Sequence, residues 1–370
     1  MERPRVLILG KLPPPLIGPA LATQIILNSS LKDQYELMHF DTALNKSVSE
    51  FGKVRLGKIA DIQGKYRAYR KMLKEFKPDL VLIPIGQTSA GFFKDVPFIR
   101  LAALSRAKIL LHLRGSAFRD WYAGLDVFRK KIVAKSISRA DGAIVLGDIL
   151  RDQFSNFFAK KDIHVVPNGA DYTFPDRNSS QIQLTYIANY LPGKGIREIL
   201  LALQELKEKD SLSPFCFRAF GAWDNDDYRK ECESIAADLP HVDLNESISG
   251  DEKWQELSNS DVFIFTPNHP EGHPWSIVEA TAAGLPIIST SRGAISQSVK
   301  NGENGFLLDN PDPKLIAEKL HLLLSNPDLR KKMGKASREL YLEKFTAESM
   351  VKLLDQSFKA TLDLCVESSE

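Results

Sequence analysis

The sequence predicts two doubly wound α/β domains in succession. Short apolar runs recur through both halves, as strands buried on both faces of a parallel sheet require. Amphipathic stripes at helical spacing lie between them, and strand–helix alternation implies parallel sheets flanked by helices. A polar stretch, Asp171–Ser180, carries Pro175 and Asn178 and reads as a linker between the halves. The length of 370 residues, 43% of them apolar, allows two to three cores.

The strand candidates in the first half are Val6–Leu9 before Gly10, Leu80–Ile83 before Pro84, Ile109–His112, and Ala143–Leu146 before Gly147. In the second half they are Leu184–Ile187, Phe215–Arg218, Asp261–Phe265 and Pro286–Ser289. Ile196, Ile199, Leu200 and Leu203 repeat at i, i+3, i+4 and i+7 and predict a helix after the strand at 184–187. Asp312 before Pro313 reads as an N-cap followed by proline at the first helical position. Ala347, Met350, Val351, Leu354 and Phe358 form one more stripe after the last strand–helix unit. That stripe needs a surface to cover, and a return crossing onto the first domain supplies one. The expected domains are therefore 1–172 with 347–370, and 173–346.

Several classes are excluded. Apolar runs reach about six residues, against about twenty for a membrane span. The start leads directly into a strand-like run, so no signal peptide is expected. Cys216, Cys232 and Cys365 are odd in number and lack C-x-x-C spacing. That argues against a disulfide scaffold or zinc ribbon and for a reducing cytoplasm.

Net charge is +2, but residues 1–172 carry 28 Lys and Arg against 16 Asp and Glu, and residues 173–370 carry 21 against 31. The excess concentrates in Lys53–Lys77 and Arg100–Arg139. Solvated helix faces explain such runs, as does contact with an anionic membrane surface or a phosphate-bearing acceptor. No aromatic-studded recognition motif accompanies them, so nucleic acid is not an expected partner.

The densest chemical signal is Pro270–Thr290, where Glu271 and Glu279 stand eight residues apart across a loop-to-helix turn after the strand at 261–265. Free N–H groups at a helix start favour anionic ligands, and a carboxylate beside them accepts hydrogen bonds from sugar hydroxyls. Ser276-x-x-Glu279 equally fits a capping box with the helix beginning near Ser276 and Glu279 in its first turn.

This stretch resembles the E-x7-E signature of the family-4 retaining glycosyltransferases, whose fold is GT-B: two Rossmann-like domains facing across a cleft, with a C-terminal helix crossing back. Val165–Asp171 is similar to "(V/I)-P-N-G-V-D", Ile187–Gly195 to "G-R-L-x-x-x-K-G", and Arg292–Leu308 to the "G-G-x-x-E" element that follows. Lys11–Gly18 looks like the glycine loop after the first strand. No G-x-G-x-x-G follows Val6–Leu9, which disfavours a dinucleotide dehydrogenase.

The resemblance implies roles. Glu279 binds the nucleotide ribose, Glu271 and His112 lie by the transferred sugar, and Lys194 meets the diphosphate, offsetting leaving-group charge. Gly18 admits phosphates close to the backbone. Gly272, His273, Trp275 and Ser276 line the donor, with Asn189 and Arg197 near its phosphates. Arg114 and Arg119 lie on the acceptor or membrane side. Each also has an ordinary reading as a turn glycine, a surface charge or a satisfied polar group. Asn189 replaces the arginine of "G-R-L", Pro274 removes a backbone donor, and Gln297 replaces a glutamate. These departures leave sugar and base open.

The expected activity is transfer of a sugar from a nucleotide-sugar to a glycan or lipid-linked acceptor in cell-envelope polysaccharide or glycolipid assembly, without metal or cofactor. The expected location is the cytoplasm, peripheral to the inner face of the plasma membrane. The alternatives are a sugar-nucleotide epimerase on the same fold and a non-catalytic nucleotide-sugar-binding subunit. Asp224–Asp227 reads as a surface turn near the donor base rather than a cation loop.

Overall fold

A computed structural model describes residues 2–14, 17–42, 57–207, 214–239 and 241–364, without the side chains of 57–61 and 207. Cys365, Lys53, Arg55, and Pro15 and Leu16 of the glycine loop lie outside the described residues. The chain divides into two compact units: residues 1–170 with 347–370, and residues 171–346.

The first unit is a six-stranded parallel sheet in the order β2-β1-β3-β4-β5-β6. Its strands are β1 (Arg5–Gly10), β2 (Glu36–Asp41), β3 (Leu80–Ile85), β4 (Lys108–Leu113), β5 (Gly142–Val145) and β6 (Ile163–Val165). The helices between them are α1 (Gly18–Asn28), α2 (Leu31–Gln34), α3 (Gly57–Phe76), α4 (Ser89–Leu104), α5 (Phe118–Ala123) and α6 (Val127–Ile137). Strand order reverses between β1 and β3, where Val6 pairs with Leu80 and Ile8 with Leu82.

The second unit repeats the plan in the order β12-β11-β10-β7-β8-β9, again all parallel. Its strands are β7 (Ile182–Ile187), β8 (Phe215–Phe220), β9 (Val242–Asn245), β10 (Val262–Phe265), β11 (Ile287–Thr290) and β12 (Gly305–Leu308). The helices are α7 (Ile196–Lys207), α8 (Asp226–Ala236), α9 (Gly250–Asn259), α10 (Trp275–Ala282), α11 (Ile295–Ser298), α12 (Pro313–Ser325) and α13 (Pro327–Lys344). Here the order reverses between β7 and β10. The α7 stripe Ile196, Ile199, Leu200 and Leu203 is fully buried against this sheet and α12. Asp312 caps α12 by accepting from the N–H of Lys314 at 2.8 Å.

The last helix, α14 (Ala347–Thr361), belongs to the first unit. Its stripe Met350, Val351, Leu354 and Phe358 packs on Val6 and Ile8 of β1, Leu80 and Leu82 of β3, Leu110 of β4 and Ile144 of β5. These are alternate strand residues, hence one sheet face. Burial of such side chains is worth about 1.5–3 kcal/mol each. Tyr35 adds a 2.7 Å hydrogen bond from its hydroxyl to Asp355 and an edge-to-face contact with Phe358.

Candidate active site

Ligands of open parallel sheets bind beyond the carboxyl ends of the strands where strand order reverses. In the second unit that point lies between β7 and β10, and the chain segments leaving those two strands carry Lys194 and Glu271.

Lys194 stands between Gly193 at φ +83° and Gly195 at φ +92°, left-handed positions that suit glycine. A Cβ on Gly195 would fall 2.4 Å from the Thr266 carbonyl oxygen, so this turn lies directly on the end of β10. The N–H groups of Asn268 and His269 donate to the Gly193 carbonyl at 2.8 and 3.1 Å. Held in this way, the Lys194 ammonium donates to Glu271 Oε1 and sits 5.8 Å from the centroid of the Phe265 ring.

The loop bearing Glu271 is braced from its other side. The Ala294 N–H donates to the Gly272 carbonyl at 2.8 Å, and Arg292 Nη2 donates to Asn268 Oδ1 at 2.7 Å. Gly293, at φ +56°, approaches so closely that a Cβ there would lie 1.6 Å from the Glu271 carbonyl oxygen.

The structure corrects the helix start. Pro274, at φ −64°, is the N-cap, and α10 begins at Trp275, so Ser276 lies inside the helix and Glu279 in its second turn. Proline carries no side-chain acceptor, so the first turn of α10 has no side-chain cap. Glu279 is only 3% exposed and forms an ion pair with Lys253 Nζ of α9. The Tyr172 hydroxyl is buried nearby; burial, and then the Glu279 charge, push its pKa well above the usual phenol range. Trp275 and Gly272 are half-buried.

Other expected site residues are engaged elsewhere. His273 is buried; its Nε2 lies 2.7 Å from Ser298 Oγ, its ring is 5.1 Å from that of Phe345, and burial lowers its pKa to about 3. Arg197 is held by Glu231 of α8. The Asn189 side chain is exposed, while its carbonyl accepts from the Tyr186 hydroxyl at 3.3 Å. Asp224–Asp227 is exposed at the start of α8, where Asn225 is the N-cap, accepting from the N–H groups of Asp227 and Tyr228 at 2.8 and 2.9 Å. Among the described residues no three His, Cys, Asp or Glu gather as metal ligands.

In the first unit, His112 lies in β4, 5% exposed, with neither ring nitrogen hydrogen-bonded. Burial, reinforced by the Arg114 charge, holds its pKa well below the imidazole range. Arg114 follows β4 and donates from Nη1 to the Pro19 carbonyl at 3.1 Å. Arg119 pairs with Asp152 at 2.6 Å. Gly18 opens α1 rather than occupying a left-handed turn.

Sequence reasoning missed Lys253, Tyr172 and the support given by Gly293. Lys253 stands far from Glu279 in sequence, and no local spacing links them. Gly293 lay within a recognised motif, but its contact with Glu271 is purely tertiary.

Residues 173–340 match the family described as glycosyl transferases group 1. A capsular polysaccharide biosynthesis glycosyltransferase, CapM, of Staphylococcus aureus is 23% identical over 66% of this chain and 62% of its own length. The chain thus spans about 60% of the length of the first curated relatives it matches. A glycosyltransferase structure from Rickettsia africae superposes with a TM-score of 0.75 at 16% identity, covering 98% of this chain and 99% of that one. The Anabaena protein Alr3699/HepE, in complex with UDP and glucose, gives 0.71 at 14% identity, covering 97% and 100%. These likenesses show the two-domain Rossmann-like fold of GT-B proteins. The segment 173–340, which carries Lys194, Glu271 and Glu279, is thus the part of this chain that resembles the glycosyl transferases group 1 family.

Proposed function

We propose that this protein is a retaining, metal-independent glycosyltransferase that moves a sugar from a nucleotide-sugar to a glycan or lipid-linked acceptor in envelope polysaccharide or glycolipid biosynthesis. The observation that carries the reading is the Lys194–Glu271 pair at the β7/β10 switch point, with Glu271 on the loop that leads into α10 and its buried Glu279. A carboxylate in Glu279's place suits two ribose hydroxyls. Lys194 supplies a cation where the diphosphate departs, which is the task a divalent metal performs in other transferases. As Lys194 turns to the phosphates, Glu271 is freed to accept from sugar hydroxyls and to steady positive charge at the anomeric carbon. UDP is the first nucleotide to try, given the ligand of the Anabaena neighbour.

The test is incubation with UDP-sugars, with and without glycan and polyprenyl-phosphate-linked acceptors. Nucleotide release that requires an acceptor, with the anomeric configuration kept and activity surviving EDTA, is the expected result. An altered sugar still joined to its nucleotide would establish epimerisation instead. Glu271→Ala should reduce turnover on the order of 10²-fold with a smaller effect on donor affinity.

The reading includes peripheral attachment to anionic membranes through the first unit. No helix among the described residues is long and apolar enough to cross a membrane. Val127 and Phe128, however, are 70% and 72% exposed on the first turn of α6, followed by the exposed Arg129, Lys131 and Lys135. Vesicle co-sedimentation should require anionic lipid, weaken with salt, and fall in Phe128→Ser. Equal pelleting with neutral vesicles would remove the electrostatic account.

A further inference from the structure

The first unit has its own switch point, between β1 and β3, and a cavity of about 220 Å³ opens there at the strands' carboxyl ends. Its walls include Gly10 from β1, Gly86 after β3, Lys94 and Asp95 from α4, Lys11 and Arg114. We propose that this cavity binds a phosphate monoester carried next to a free hydroxyl, and that this group is part of the sugar acceptor. Naming it as acceptor rests on the transferase reading; the anion site itself does not.

Charge and burial argue for an anion. Three cationic side chains line the cavity against one carboxylate. Burial, then repulsion from Lys94, lowers the Lys11 pKa. Burial also lowers that of Arg114, to about 10. The Arg114 Nε is buried without a hydrogen-bond partner. Crowded, partly desolvated cations are relieved by a bound anion. Helix α1 starts at the same place with no acidic residue in its first turn, so no carboxylate there opposes an anion.

The carboxylate gives the ligand its second feature. Asp95 is 4% exposed, accepts from the Gly86 N–H at 2.9 Å and pairs with Lys94 at 3.2 Å. Its position in a cationic pocket repels a second anion but suits a hydroxyl donor. A polyol phosphate presents both groups within one small volume. Glycines make the site close-fitting: a Cβ on Gly86 would lie 2.7 Å from the Gly91 backbone, and one on Gly10 would lie 2.6 Å from Thr23 Oγ1.

The experiment is calorimetric titration of the full chain with glycerol 3-phosphate, inorganic phosphate, glycerol and, in parallel, UDP. Glycerol 3-phosphate should bind, inorganic phosphate more weakly, and glycerol not at all. Lys94→Met and Arg114→Gln should each weaken glycerol 3-phosphate binding tenfold or more while leaving UDP affinity unchanged; Lys94→Arg should retain it. Melting curves establish that each variant is folded. Glycerol binding as tightly as its phosphate, or unchanged affinity in both folded variants, overturns the site. Glycerol 3-phosphate binding without UDP binding leaves the anion site standing and removes the transferase reading. Lysophosphatidic acid, which keeps one glycerol hydroxyl free, assigns the phosphate to a lipid if it competes with glycerol 3-phosphate; absence of competition assigns it to a soluble acceptor.

Discussion

Lys253 on α9 is the counter-ion of Glu279 on α10, and the two side chains are 17% and 4% exposed. A buried carboxylate needs such a partner, because losing one member of a buried pair leaves an uncompensated charge. Lys253→Met should therefore cost about 3–5 kcal/mol, and adding Glu279→Gln should recover much of it. Denaturant unfolding of the single and double variants checks this. Purely additive losses would show that the two side chains do not act as a pair.

Gly293 and Gly302 provide a matched comparison. Both have positive φ, +56° and +78°, but a Cβ on Gly302 meets nothing within 4 Å, whereas one on Gly293 collides with the Glu271 carbonyl. Gly302→Ala should lose only about 1 kcal/mol, the cost of the backbone conformation. Gly293→Ala should lose more and should also depress turnover, since it displaces the loop that carries Glu271. Equal melting temperatures for the two variants would contradict the close approach.

His273 is buried neutral, with its pKa lowered to about 3. Above pH ~6.5 it is neutral in both folded and unfolded chains and contributes no pH dependence. Below that, the unfolded chain takes up a proton that the folded chain refuses, so stability falls as pH falls. Each such histidine contributes up to about 1.4 kcal/mol per pH unit. Melting temperature measured between pH 6.5 and 5 should fall more gently in His273→Gln than in the parent chain. Parallel slopes would mean that His273 is protonated in the fold.

Removal of residues after 346 deletes α14 from the core of the first unit. The truncated chain should lose the first unit's cooperative melting while the second unit retains its own. Far-UV circular dichroism and UDP titration separate the two outcomes. A truncated chain with unchanged melting of both units would show that α14 adds no stability.

The eight strands foreseen from apolar runs are the eight interior strands of the two sheets. The four overlooked, β2, β6, β9 and β12, are the four edges. Interior strands bury both faces and so read as unbroken apolar runs. β2 alternates exposed and half-buried positions over most of its length, β9 is at most half-buried, and β6 is three residues long. At the site, Lys194 and Glu271, which the resemblance assigned to one donor, lie in contact at the β7/β10 switch point. Lys253 and Tyr172 were not legible, because their relation to Glu279 exists only after α9 and the 171–180 segment have packed. His273 shows the converse: its place in the motif suggested a ligand contact, while the fold turns its ring toward Ser298 and Phe345.

The placement of α14 also constrains the order of events during synthesis. Val6, Ile8, Leu80 and Leu82 leave the ribosome early, yet the helix that covers them is encoded after the whole second unit. The second unit can close as soon as it has emerged, whereas the first must wait with one sheet face covered only in part, by Ile26, Leu31 and Tyr35, until Phe358 has been translated. Folding of this chain is therefore not vectorial through the first unit, and a nascent first unit presents that apolar surface to chaperones while the second unit is being made.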